Sequence, residues 1–316
     1  MQLLHESTVL PEQIDSLGHM NVRFYMARME TANQTLIKNL GLSVGNSDPN
    51  AGQTYLRRID TYTRFLREQF EGAVLHTLGG VLDVSAAGVR SYVEIRNPTT
   101  GDVAATFIVT TQLTDGATRV PLRFESPPAE TTQSQKVAIP DYAAPRSLSL
   151  GPVNNKVTFT ELDAVIPDVE GTGMMSGRRQ TTVEETDVDA AGWLHKDIEV
   201  MFLPFTKIVE EEGVPHGPPV FTTKSGTRVG WAVMETHNLV YTQPKLGDEL
   251  SYFNTDLVIH DKSRLSRRWA FNATNGELLG ISDNVGLCID LDERRAISWP
   301  AEIRALIEEH MQPQLA

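Results

Sequence analysis

The sequence predicts an α+β fold made of two tandem repeats, each a long helix covering one face of a curved antiparallel sheet. Three observations carry that expectation. First, Asp15-Ser16-Leu17-Gly18-His19-Met20-Asn21 opens a helix-like segment, and Asp189-Ala190-Ala191-Gly192-Trp193-Leu194-His195 opens another, 174 residues on (15 to 189, 18 to 192). Second, Gly72 and Gly247, Asn97 and Asn272, Gly101 and Gly276, Asp115 and Asp290, and Arg119 and Arg294 are each 175 apart (72 to 247, and likewise for the rest). Third, in both copies a segment of helical spacing precedes about five strand-like segments. A shift held that constant over many residues is an internal duplication.

The first repeat is expected over residues 1–127. Glu6–Leu10 reads as a short strand leading into Asp15. Over Met20–Leu40, the residues Val22, Tyr25, Met26, Met29, Ala32, Leu36 and Leu40 recur at three- and four-residue steps, and Gly41 stops the helix. Strands are expected around Gln53–Phe65, Ala73–Ala86, Gly88–Asn97, Val103–Thr114 and Thr118–Phe124. Asn97-Pro98-Thr99-Thr100-Gly101 reads as a turn.

Residues 128–177 are expected to be a linker with some local structure, because Ser126–Gly177 is richer in Pro, Gly, Ser and Thr. The second repeat follows over 178–300. Its lead strand is Thr181–Thr186 and its helix Lys196–Glu212, with a kink at Pro204. Its strands lie near Arg228–Tyr241, Glu249–His260, Ser266–Ala273, Leu278–Leu291 and Arg295–Trp299. Residues 301–316 hold a last amphipathic helix, Ala301–Met311, and a tail.

Composition narrows the function classes. The 316 residues are 40% hydrophobic and 22% charged, ordinary for a globular protein. A formal net charge of −13 argues against nucleic acid or an anionic membrane as partner. The single cysteine, Cys288, cannot form an internal disulfide, and no apolar run approaches a spanning helix. The N-terminus lacks the basic start and apolar core of a signal peptide, so the cytoplasm is the expected location. No paired-ligand spacing among the eight histidines suggests a metal, and no Gly-x-Ser-x-Gly elbow suggests a serine hydrolase.

Asp15-x-x-Gly18-His19-Met20-Asn21-x-x-x-Tyr25, between a strand and a long helix with sheet strands after it, resembles the signature of the 4-hydroxybenzoyl-CoA thioesterase-like family. The resemblance implies a double-hotdog fold covering both repeats and an acyl-CoA thioesterase activity. It implies no bound cofactor, since coenzyme A is part of the substrate, and a small acyl-CoA as the ligand. Assembly of double-hotdog units into a homo-oligomer stays open.

The residues make chemical sense of that activity. Thioester hydrolysis needs an activated water or a nucleophile, and donors for the developing oxyanion. Asp15 can serve as base, as nucleophile through an anhydride, or only as an N-cap. The first-turn amides of the following helix point outward and are partly positive. Gly18, Met20 and Val22 are therefore the candidate backbone donors around the oxygen. His19 can act in acid–base chemistry or pack, and Asn21 can orient Asp15 or cap the helix.

In the second copy Trp193, Leu194 and His195 replace His19, Met20 and Asn21, while Asp189 and Gly192 remain. One working site at Asp15 is expected, with Asp189, Trp193 and His195 a degenerate second copy. In hotdog pairs a helix start meets the partner's sheet, which points to Glu235 and His237, two apart on one strand face, as a cross-repeat contribution. Two other readings remain open: an enoyl-CoA hydratase or dehydratase using Asp189 with His195, and a non-catalytic binder of acyl thioesters.

Overall fold

The computed structural model describes residues 1–41, 54–123, 129–153, 156–169, 176–194, 200–204, 207 and 220–316. The chain forms two compact units, Met1–Ile14 with His19–Arg146, and Asp15–Gly18 with Ser147–Ala316.

The first unit opens with strand β1 (Gln2–Thr8) and helix α1 (Val22–Asn39). Strands β2 (Thr54–Phe65), β3 (Val74–Ser85), β4 (Gly88–Arg96) and β5 (Val103–Asp115) follow, in the order β1-β3-β4-β5-β2, every pair antiparallel. Helix α1 buries the stripe its spacing predicts. Leu36, Ile37 and Leu40 form a core with Val81, Val89 and Leu113 from the sheet. A polar pin crosses the same contact. Buried Asn33 donates to Thr111 Oγ1 at 2.7 Å and accepts from Ser91 Oγ at 2.6 Å.

Expected strand Thr118–Phe124 does not form among the described residues. The chain makes only an isolated bridge between Thr114 and Pro121, and proline has no N–H to extend a ladder. A short helix α2 (Ala129–Ser134) follows, and the chain then returns over β3, where Val81 exchanges backbone bonds with Gln135 and Val137. Residues up to Arg146 stay with this unit through a network on β4. Tyr92 and Tyr142 each donate to the buried Glu94 carboxylate at 2.8 Å, Arg96 pairs with Glu94, and Arg64 donates to the Tyr142 carbonyl at 2.7 Å.

The second unit repeats the plan. After α3 (Phe159–Asp163), strands β6 (Gly177–Thr182), β7 (Phe221–Thr222), β8 (Arg228–Val240), β9 (Glu249–Ile259), β10 (Ser263–Asn272), β11 (Leu278–Asp290) and β12 (Arg295–Ala296) follow. The five long strands run β6-β9-β10-β11-β8, the same order as in the first unit, and β12 and β7 add to β11 and β8. The unit closes with α4 (Ala301–His310), which buries Ile303 and Ile307. The repeat helix is described only at 200–204 and 207, so the kink expected at Pro204 runs outside the described residues. Val200, Met201 and Leu203 from it pack on Leu250, Ala270 and Leu279 of the sheet.

The duplication extends to backbone detail. Register slips at Ile59 in β2 and at Met234 in β8, and again at Leu82 in β3 and Leu257 in β9. Left-handed φ recurs at Gly18 and Gly192 (81° and 79°) and at Arg119 and Arg294 (58° and 51°). Asn97 and Asn272 each accept two backbone N–H groups of the turn that follows them. Strand order, helix placement and these repeated irregularities make the fold a double hotdog.

Candidate active site

The loop that carries Asp15 is tightly determined. Asp15 is 8% exposed, and its Oδ1 accepts from the Leu17 N–H at 2.8 Å. The Gly18 N–H donates back to the Asp15 carbonyl at 2.9 Å, closing a turn that needs the left-handed φ of Gly18. Leu17 is buried within the second unit, where β8 offers Gly230. A Cβ on Gly230 would stand 2.8 Å from Leu17 Cδ2. Glycine there makes the seat for the leucine.

The first unit carries the rest of the motif. Asn21 is the N-cap of α1, its side-chain oxygen accepting from the Arg23 N–H at 3.0 Å. Its own N–H donates to the Gln13 carbonyl at 2.9 Å. His19 is buried, with Nδ1 3.3 Å from the Met20 carbonyl oxygen and Nε2 3.4 Å from Glu68 Oε1. The ring is therefore held between a carbonyl and a carboxylate, which sets its orientation. Tyr25 packs edge-on to Phe65 and donates to the Arg67 carbonyl at 3.2 Å.

The expected backbone donors differ in their existing hydrogen bonds. The Met20 N–H donates to the Gln69 carbonyl at 2.8 Å, and Gly18 to Asp15, so both amides are already committed. An amide held in a good protein hydrogen bond is a poor oxyanion donor, because it must give up one bond to make the other. Val22, the first residue of α1, is different. Its N–H meets no acceptor among the described residues, as the geometry of a helix start dictates.

In the second copy Asp189 Oδ1 accepts from the Ala191 and Trp193 amides at 2.9 and 3.2 Å, and the Asp189 N–H donates to the Trp193 carbonyl. Trp193 lies under the Lys245 ammonium, 4.2 Å from the ring centroid. His195 lies outside the described residues.

Glu235 and His237 are both buried on β8, and the bulge at Met234 sets the face they share. The Glu235 carboxylate accepts from the Ser147 N–H at 2.9 Å and the Leu148 N–H at 3.1 Å. It fastens the start of the second unit's chain to β8. His237 stands opposite Asp283, whose carboxylate is bound bidentately by Arg267 at 2.6 and 2.9 Å.

Two residues that sequence reasoning did not name shape the site. Glu68 faces His19, and Gln69 supplies the carbonyl for Met20 while its side chain accepts from Asn97 at 3.0 Å. The second copy held a clue. Leu194, matching Met20, donates to the carbonyl of Pro244, which stands 175 residues after Gln69 (69 to 244). A position that keeps glutamine in one copy and tolerates proline in the other is valued for its carbonyl. Among the described residues no group of three His, Cys, Asp or Glu could hold a metal ion, and no helix is long and apolar enough to cross a membrane.

Comparison with known proteins agrees with this architecture. Residues 9–145 match the Thioesterase-like superfamily. The 12:0-ACP thioesterase from Umbellularia californica superposes with a TM-score of 0.57 at 10% identity, over 89% of this chain and 92% of that one. An acyl-ACP thioesterase from Bacteroides thetaiotaomicron gives 0.57 at 10% identity, over 89% and 96%. An oleoyl thioesterase (putative) from Lactobacillus plantarum gives 0.59 at 12% identity, over 90% and 94%. At such identities the likeness is one of fold. No curated protein matches the sequence.

Proposed function

We propose that this chain, which over residues 9–145 belongs to the thioesterase-like superfamily, hydrolyses acyl-CoA thioesters to the free acid and CoA. The observation that carries the reading is a buried carboxylate, Asp15, on the loop leading into a helix whose first amide, Val22, meets no acceptor among the described residues. Asp15 removes a proton from the attacking water, or itself attacks the carbonyl to give an anhydride that water then opens. As the carbonyl carbon becomes tetrahedral, its oxygen gains charge, and the Val22 N–H with the positive end of the α1 dipole stabilises it. The C–S bond then breaks and the thiolate leaves. Asn21 keeps the helix start in place, and His19, oriented by Glu68, is the group available to protonate the leaving sulfur.

No bound cofactor is needed for this chemistry. The net charge of −13 favours a CoA ester over an acyl group on an acidic carrier protein, which the chain's field would repel. A single, buried thiol suits a reducing compartment such as the cytoplasm.

The test is thiol release across a panel of acyl-CoA chain lengths and polarities, with an acyl carrier protein ester as a parallel arm. Asp15→Asn should lower turnover by about a thousandfold or more with the fold intact by circular dichroism, the scale on which loss of a base or nucleophile acts. Full turnover in Asp15→Asn would remove Asp15 from the mechanism. Loss of crotonyl-CoA absorbance without thiol release would instead mark a hydratase. Tight thioester binding with no reaction would mark a binding protein.

A further inference from the structure

We propose that Arg294 is a positioning residue for the Asp15 carboxylate, acting through Leu17. The inference rests on the reading of Asp15 as the reacting group. Within the second unit Leu17 is held in three ways. Its N–H donates to Asp15 Oδ1 at 2.8 Å, its side chain sits against Gly230, and its carbonyl accepts from Arg294 Nη1 at 2.7 Å. The first contact aims the carboxylate, and the other two fix the residue that aims it. A carboxylate restrained in this way does not have to be reoriented during the reaction.

Arg294 occupies a costly place. It lies in the turn between β11 and β12, where Asp290 Oδ1 accepts from the Asp292 and Glu293 amides, and it adopts φ 51°. Glycine takes such a conformation without strain, so an arginine there is kept for its side chain. The other repeat supplies an internal control. Arg119 stands at the matching turn with φ 58°, but its guanidinium lies 3.6 Å over the Tyr55 ring and donates to the Gly116 carbonyl at 2.9 Å. At the position matching Leu17 stands Ala191, which is exposed and has no side chain to anchor. Among the described residues, the anchored leucine with its arginine thus accompanies Asp15, the carboxylate that keeps the fuller motif.

The experiment compares kcat and KM for acyl-CoA hydrolysis in wild type, Arg294→Met, Arg294→Lys, Asp15→Asn and the Asp15→Asn/Arg294→Met double variant. Arg294→Met keeps the side-chain length and loses the donor. It should lower kcat about 10- to 100-fold with KM within about twofold, the scale of a misplaced catalytic group. Arg294→Lys, which keeps a donor, should restore most of kcat. The double variant should be no slower than Asp15→Asn alone, since a residue acting through Asp15 has nothing left to act on. A raised KM at unchanged kcat would make Arg294 a substrate ligand and overturn the proposal, as would an unchanged Arg294→Met with a dead Asp15→Asn. Retained turnover in Asp15→Asn would instead overturn the functional reading beneath it.

Discussion

At the scale of single residues, the motif's short side chains are shaped by hydrogen bonds to nearby backbone. Asp15 takes the Leu17 amide, Asp189 takes those of Ala191 and Trp193, and Asn21 takes that of Arg23. Such bonds depend only on a few neighbouring dihedral angles, and for that reason the helix cap at Asn21 could be read from the sequence. Cys288 shows what burial does to a lone thiol. It has no exposed surface, and desolvation pushes it up to about 12 from an ordinary 9.0. Between those two values the unfolded chain gives up the proton while the folded chain keeps it, so the unfolded state binds fewer protons and stability falls as pH rises. The limiting slope is about 1.4 kcal/mol per pH unit. Urea midpoints measured from pH 8 to 11 should therefore decline, and Cys288→Ala should flatten that decline. Native protein at pH 8 should also resist thiol labelling that proceeds once it is unfolded.

At the scale of elements, helix α1 meets its sheet through an apolar stripe and one polar pin. The stripe follows from three- and four-residue spacing and was legible in advance. The pin was not, because the partners of Asn33 lie on β4 and β5, at Ser91 and Thr111. Asn33→Ala leaves two buried hydroxyls short of a partner and should cost about 1–3 kcal/mol in denaturant unfolding. Replacing all three at once, Asn33→Leu with Ser91→Ala and Thr111→Val, should recover most of that loss, since no polar group is then stranded. If the single variant is as stable as wild type, the pin contributes nothing. Glu235 teaches a related lesson. Its alternation with His237 placed both on one face of β8, as expected for a strand, but only the fold brings the Ser147 and Leu148 amides to its carboxylate.

At the scale of the whole molecule, the two repeats share strand order, bulges and left-handed turns, yet their motif aspartates are held differently. Asp15 is buried, whereas Asp189 is half-buried and spends its Oδ1 on two amides. Asp189→Asn should therefore leave acyl-CoA turnover within about twofold of wild type and, since an asparagine oxygen can accept the same amides, stability within about 0.5 kcal/mol. A turnover loss matching that of Asp15→Asn would make Asp189 part of the same working chemistry. By itself the sequence determined the duplication, the α+β class, the positions of α1 and of most long strands to within a few residues, and the loop that carries Asp15. All of these are written in local spacing and in residues suited to particular dihedral angles. Tertiary structure decided which hydrogen-bonding groups are already committed to partners. The Met20 amide is committed to Gln69, Glu235 to the start of the second unit, and Leu17 to Gly230 and Arg294, while the Val22 amide meets no acceptor among the described residues. Each commitment joins residues far apart in the chain, and hydrogen-bond capacity is a property of where a group ends up in space, which periodicity along a sequence does not encode.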